Sequence, residues 1–282
     1  MKQGKLYLVA TPIGNLSDIS QRALKTLQSA DFIAAEDTRV TRKLLTHYEI
    51  KTKMISYHHH NRSESGDKII ERILKGENCA LVTDAGTPGI SDPGEDLVKL
   101  CIRQNIEVAA IPGANAAVAA LALSGLCAAR FTFEGFLPSQ KKKREAELVA
   151  LKTENRTMVF YEAPHKLAYT LSDMLAVFGE RNISISRELT KLYEETLRFP
   201  LSEAVAYFKQ NPPRGEFVLV VEGYKSSHAS DEDKLKKALK AATLLMDSGL
   251  SLKDAVKRAA LDTNCSKNEL YSAMVNKQTS GK

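Results

Sequence analysis

No apolar run in the chain approaches the roughly 20 residues that a bilayer-crossing helix needs. The opening MKQGKLYLVATP also lacks a basic n-region, a long apolar stretch and a small-residue cleavage site, so a cytoplasmic protein is expected. Cysteine is scarce: Cys79, Cys101, Cys127 and Cys265 lie far apart and form no CxxC pair, which points to reduced, mostly buried thiols and away from zinc or a disulfide framework. The turn after the first apolar run, VATPIGNLSDIS, has no Gly-Lys-Ser/Thr, and Pro12 and Asn15 stand where GxGxxG needs glycine. A nucleotide held through its phosphates is therefore disfavoured. No fixed-period repeat covers the 282 residues, which excludes a solenoid.

What is present is alternation. KLYLVA, DFIAAE, KMISY, NCALVT and IEVAAI read as strands, with amphipathic stretches between them, so a mainly parallel sheet covered on both faces is predicted. In the first helix Ile19, Ala23, Leu24, Leu27 and Ala30 share one face, and Asp18 or Ser17 is the expected cap. The small-residue helix ANAAVAALALSG leads into a second α/β passage ending at EFVLVVEG. The polar linker KSSHASDED then opens a helical tail of helix-turn-helix type. The expected divisions are residues 1–124, 125–225 and 231–280.

Three turns rich in glycine and proline each follow a strand: TPIGN, DAGTPGISDPG and PGANAA. In a parallel sheet they gather beyond the carboxyl ends of the strands, where ligands bind. The second far exceeds the about two to six residues of a plain connection, which favours a ligand loop. Pro12 and Gly14 read in isolation as an ordinary strand-to-helix turn, and they also suit a backbone brought close to an uncharged ligand such as an adenosine; Asn115 can cap the next helix.

Other segments leave two readings open. AAEDTRVTRKLL places Glu36 and Asp37 at a strand end before a helix, where acids serve either the helix dipole or a substrate. YHHHNR resembles a metal site, but alternate side chains of an extended segment point apart and no second ligand cluster is near; a polar loop facing the cleft is the better reading, with no metal. SRELTKLYEET is a mixed-charge loop, either solvated or positioning a hydroxyl or phosphate. The formal charge of +6 and the cluster KKKRE, Lys141–Glu145, allow a polyanionic partner.

Taken in order, VATPIGNLSDIS, AAEDTRVTRKLL, SYHHHNR, TDAGTPGISDPG, IPGANAA, FYEAPHK, SRELTKLYEE and RGEFVLVVEG resemble the bacterial small-subunit ribosomal RNA methyltransferase I family, cytidine 2'-O-methyltransferases within the tetrapyrrole methylase superfamily. The resemblance spans about Leu6 to Gly223 and extends to the helical tail. It implies a homodimer of two α/β domains with S-adenosylmethionine in the cleft between them. The substrate implied is a ribose 2'-hydroxyl in the decoding region of 16S rRNA on the small ribosomal subunit, with no DNA or membrane partner. Carried over motif by motif, Pro12, Ile13, Thr87, Pro88, Ile90, Asn115 and Ala116 line the cofactor cleft, and Tyr161 and Gly215 approach it from the second domain. The family usually spells its histidine loop HEHNE; here it is His58, His59, His60, Asn61 and Arg62, so the two acids are replaced while His58 and His60 still match.

Methyl transfer from a sulfonium is an in-line displacement that depends chiefly on positioning the attacking oxygen. A sugar hydroxyl is a weak nucleophile, so a proton acceptor is expected among Asp37, Glu188 and Lys191. Arg39, Arg42 and Arg187, with His58 and His60, are the expected substrate contacts, since phosphates flank the target ribose and its 2'-hydroxyl separates RNA from DNA. The alternatives are a tetrapyrrole C- or N-methyltransferase and a non-catalytic ribosome-binding factor.

Overall fold

Two sheets form from the first 221 residues. The computed structural model describes residues 3–58, 62–225, 231–263 and 265–279, and the chain divides into two compact units, Met1–Tyr224 and Lys225–Lys282.

The first sheet is built from β1 (Lys5–Val9), β2 (Phe32–Ala35), β3 (Met54–Ser56), β4 (Cys79–Val82) and β5 (Glu107–Ile111). Between them run α1 (Gln21–Ser29), α2 (Thr38–His47), α3 (Arg62–Leu74) and α4 (Glu95–Arg103). All pairings are parallel, in the order β3-β2-β4-β1-β5. FIAA and CALV are buried at every position, as expected of strands covered on both faces. Leu6, Phe32, Ala34 and Leu81 pack toward Ile69, Ile73, Leu97 and Cys101 on one side. Val9, Ile33, Ala35 and Val82 pack toward Ala23, Leu27 and Leu45 on the other. Ser20, rather than Ser17 or Asp18, caps α1, its hydroxyl accepting from the Ala23 amide at 3.1 Å. The cap lies later because Leu16–Asp18 forms its own short 3₁₀ turn, capped by Asn15.

The second sheet holds β6 (Phe131–Phe136), β7 (Thr157–Glu162), β8 (Asn182–Arg187), β9 (Glu195–Pro200) and β10 (Phe217–Val221), in the order β6-β7-β10-β8-β9. Only β6 and β7 are parallel; the rest of this sheet is antiparallel. The helices α6 (Lys141–Ala150), α7 (Pro164–Phe178) and α8 (Leu201–Gln210) belong to this half, and Leu148, Leu171 and Phe208 join the core that covers one face. The other face receives α5 (Ala116–Leu123), which follows β5 of the first sheet. Its small Ala117 and Ala120 let the helix settle onto Val159, Val218 and Val220. At its end Arg198 donates to the Leu123 carbonyl and, at 3.3 Å, to that of Ser124, satisfying groups a helix terminus leaves open.

The second unit comprises α9 (Asp231–Asp247), α10 (Leu252–Thr263) and α11 (Lys267–Thr279), packed around Ala238, Ala242, Val256, Ala259, Leu270 and Met274. Among the described residues no helix is long and apolar enough to cross a membrane. Cys79 and Cys101 are buried, Cys265 is half-buried and Cys127 is exposed.

Candidate functional site

The strand order places β1 between β4 and β5, so the turns that follow these three strands are neighbours, as their spelling suggested. They are also bonded to one another. Thr11 and Gly86 exchange backbone hydrogen bonds of 2.8 and 3.1 Å, and the Thr87 hydroxyl donates to the Ala114 carbonyl at 3.4 Å. Asn115 caps α5 by accepting from the Val118 amide at 3.1 Å, so its carbonyl oxygen already has a partner.

These turns face the second sheet across a cavity of about 510 Å³. Ile13, Thr87, Ile90, Asn115, Ala116, Tyr161 and Lys191 line it, all of them expected from sequence. Pro12, Pro88 and Gly215 are not among the lining residues, although each adjoins one that is. Sequence reasoning misses Ser91, Asp92, Phe136, the run Glu162–His165, Leu189 and Glu216. Most of these flank a motif residue within its own turn; Phe136 is brought in by the bulge at Phe133/Gly135 that re-aims β6, which no local pattern announces.

The loop between β8 and β9 closes one side. Glu188 and Thr190 hold left-handed backbone at φ 49° and 68°. Lys191 Nζ donates to Glu188 Oε1 at 2.9 Å and to Glu216 Oε2 at 2.8 Å, and the Glu216 amide donates to Glu188 Oε1 at 2.9 Å. Burial alone would pull the Lys191 pKa down, but these two carboxylates raise it; burial alone would push Glu188 up, but the Glu216 amide and Lys191 bring it below the usual carboxylate range. Gly14 lies directly against the Lys191 side chain, so the first turn and this loop meet where only a glycine leaves room.

The acids at the neighbouring strand ends are not equivalent. Asp37 does not line the cavity; its Oδ1 accepts from the Arg39 amide at 2.8 Å and Oδ2 pairs with the Arg39 guanidinium at 2.6 Å, which holds its carboxyl at about 2. Asp84 receives the Asp37 amide at 3.1 Å, and both Asp84 and Glu36 are pushed up, burial being the main cause. Asp92 is pushed up to about 7 by burial and by the charges of Glu36 and Asp84. Among the described residues its carboxylate has no hydrogen-bond or ion-pair partner, whereas Glu162, also in the wall, pairs with Lys166 at 2.9 Å and accepts from Thr170 at 2.6 Å.

Of the expected substrate contacts, Arg39 and Arg42 are exposed near the start of α2, and Arg187 pairs with Glu195 at 2.9 Å. His58 lies close enough to Glu36 to moderate its rise, and His60 lies outside the described residues. Among the described residues no group of three or more His, Cys, Asp or Glu is placed to hold a metal ion.

A parallel sheet and a mixed sheet thus meet across a cleft at glycine-rich turns. Residues 5–205 match the family of tetrapyrrole (corrin/porphyrin) methylases. The chain is 49% identical over 98% of its length to the ribosomal RNA small subunit methyltransferase I of Bacillus subtilis, covering 95% of that protein. It is 45% identical over 98% of its length to the protein of the same name in Escherichia coli O157:H7, covering 96% of it. Among solved structures, uroporphyrin-III C-methyltransferase of Thermus thermophilus, complexed with S-adenyl homocysteine, superposes with a TM-score of 0.54 at 17% identity, over 77% of this chain and 97% of that one. The chain therefore belongs to the tetrapyrrole methylase family and, within it, to the ribosomal RNA small subunit methyltransferase I family.

Proposed function

We propose that this chain transfers a methyl group from S-adenosylmethionine to the ribose 2'-hydroxyl of a cytidine in the decoding region of 16S rRNA, acting in the cytoplasm as a homodimer. The observation that carries the reading is the chemistry of the cavity wall. Among the described residues that line it there is no arginine, the one lysine is tied to two carboxylates, and Asp92, Glu162 and Glu216 supply negative charge. Such a wall repels phosphate and suits a cationic, phosphate-free donor.

Ile13, Thr87, Ile90, Asn115, Ala116 and Tyr161 would hold that donor, with Pro12, Pro88 and Gly215 shaping the turns behind them. When bound, the donor supplies an electrophilic methyl group on a sulfonium. The chain's own part is to position the attacking oxygen and exclude water. Lys191, with its raised pKa, stays cationic at neutral pH and is a charge-bearing contact instead of a base. Arg39 and Arg42, exposed near the start of α2, suit the phosphates that flank the target ribose, with Arg187 and His58 as further contacts.

The test is transfer of labelled methyl from S-adenosylmethionine to small subunits lacking the modification, followed by mapping of the labelled nucleotide. Label on one cytidine ribose is expected; label on a base, on a tetrapyrrole or on nothing overturns the reading. Sedimentation at micromolar concentration is expected to give a mass near twice that of the 31.1 kDa chain.

A further inference from the structure

We infer that Asp92 is the general base of this methyl transfer, the group that takes the proton from the attacking ribose hydroxyl. The inference rests on the proposed function and goes beyond it by naming the acceptor.

Three features of placement lead to Asp92. Its carboxylate faces the cavity, and it is the lining acid that no cation or donor occupies among the described residues: Glu216 is held by Lys191, and Glu162 by Lys166 and Thr170. Its loop is folded back on itself, with Ser91 in left-handed backbone at φ 62° and Gly94 packed so closely on Gly89 that a Cβ there would stand 3.1 Å from the Gly89 nitrogen. On the other side, Gly135 of the β6 bulge leaves room for the Ser91 side chain. Strained backbone held by its surroundings at a cavity edge is a mark of a positioned side chain.

Burial first, and then the charged surroundings, give that carboxylate its basicity. Glu36 and Asp84 repel it from the ends of β2 and β4, with Asp37, Arg39 and His58 just behind them. Across the cavity stand Tyr161, whose own pKa is raised chiefly by burial and in part by Asp92, and Glu162, His165, Lys191 and Glu216. A carboxylate titrating near 7 combines a large unprotonated fraction at neutral pH with useful proton affinity, the compromise general-base catalysis requires. Asp37 and Glu188, both lowered below the usual range, are weak bases by comparison.

In the step itself the 2'-oxygen forms its bond to the methyl carbon as the carbon–sulfur bond breaks, and the electron pair of that bond remains on sulfur as a neutral thioether. The hydroxyl proton passes to Asp92, which becomes a carboxylic acid and releases the proton to solvent after product leaves.

The experiment uses full-length chain, small subunits lacking the modification, and S-adenosylhomocysteine as the binding probe. Asp92→Asn is expected to lower kcat by about 10²-fold or more while affinities for the probe and the subunit stay within about twofold. Asp92→Glu is expected to recover part of the rate. The parent's kcat/KM should rise with pH to a plateau above about 7, and Asp92→Asn should lack that limb. Independently of turnover, a ¹³C carboxyl resonance absent from Asp92→Asn should titrate near 7. Asn-variant activity within about threefold of the parent, loss of probe affinity in both variants, or a resonance titrating below 5 overturns the inference. A parent that transfers no label overturns the proposed function instead, and the carboxyl titration still reports on Asp92.

Discussion

Asp37, just past the end of β2, and Asp92, in the loop after β4, are driven in opposite directions, one by an arginine it cannot avoid, the other by burial beside like charges. The second has a consequence for stability. A carboxyl with a raised native pKa binds its proton more tightly in the folded chain than in the unfolded one. Its contribution therefore falls as pH rises from the unfolded value near ~4 through about 7, and stays at its lowest above that. Asp92→Asn removes the penalty, so its melting temperature should exceed the parent's at pH 8 and match it near pH 4, as scanning calorimetry will read. Gly215 offers a second residue-scale test. At φ 87°, a Cβ there would stand 2.5 Å from Glu188 Cγ. Gly179 has a similar φ of 70° with nothing within 4 Å of the same position. Both alanine variants incur backbone strain of about 1–3 kcal/mol, and Gly215→Ala should lose measurably more in urea unfolding because Glu188 must also move.

At the scale of elements, α6 shows how a charge run divides its labour. Read as KKKRE it is a basic helix face, and Lys141, Lys142 and Lys143 are exposed as that reading expects. Arg144 instead turns inward: its side chain is 7% exposed, pairs with Asp173 of α7 at 2.7 Å, and donates to the Pro138 and Ser139 carbonyls. Removing it leaves the half-buried Asp173 without its partner and the Pro138 and Ser139 carbonyls without their donor, so Arg144→Ala should cost about 3 kcal/mol in chemical denaturation, whereas Lys142→Ala should be nearly neutral. The same inequality marks what a sequence can disclose. Long elements with a clear period, such as α1 or the buried runs FIAA and CALV, are legible because one face or both must be apolar. The start of strand β9, Glu195–Thr196, reads from sequence as the end of a charged loop, because β9 is an edge strand whose partly exposed positions carry polar residues. The three cavity turns are legible from glycine and proline placement. Asp92 stands in plain view inside SDPG, yet its character comes from burial and from Glu36, more than fifty residues earlier, which only the fold brings near; no local pattern encodes that distance.

At the scale of the whole molecule, charge is unevenly shared. Residues 225–282 carry eleven lysines and arginines against seven acids, so this short helical unit holds four of the six net positive charges. Lys236, Lys237 and Lys240 on α9, and Lys253, Lys257 and Arg258 on α10, are all exposed, while the unit's apolar core is made mainly of small residues. A surface of this kind binds a phosphate backbone through counterion release, whose signature is a steep dependence of affinity on salt. If the unit anchors the chain to small-subunit RNA, replacing Lys236, Lys237 and Lys240 together by glutamine in the full-length chain should weaken subunit binding about tenfold or more at low salt. It should also flatten the slope of log K against log salt by roughly 0.7–0.9 for each phosphate that is no longer neutralised. Affinity for S-adenosylhomocysteine should be unchanged, since the cavity lies wholly within Met1–Tyr224. Equal slopes for parent and variant would remove α9 from the RNA footprint and transfer that role to the exposed lysines of α6.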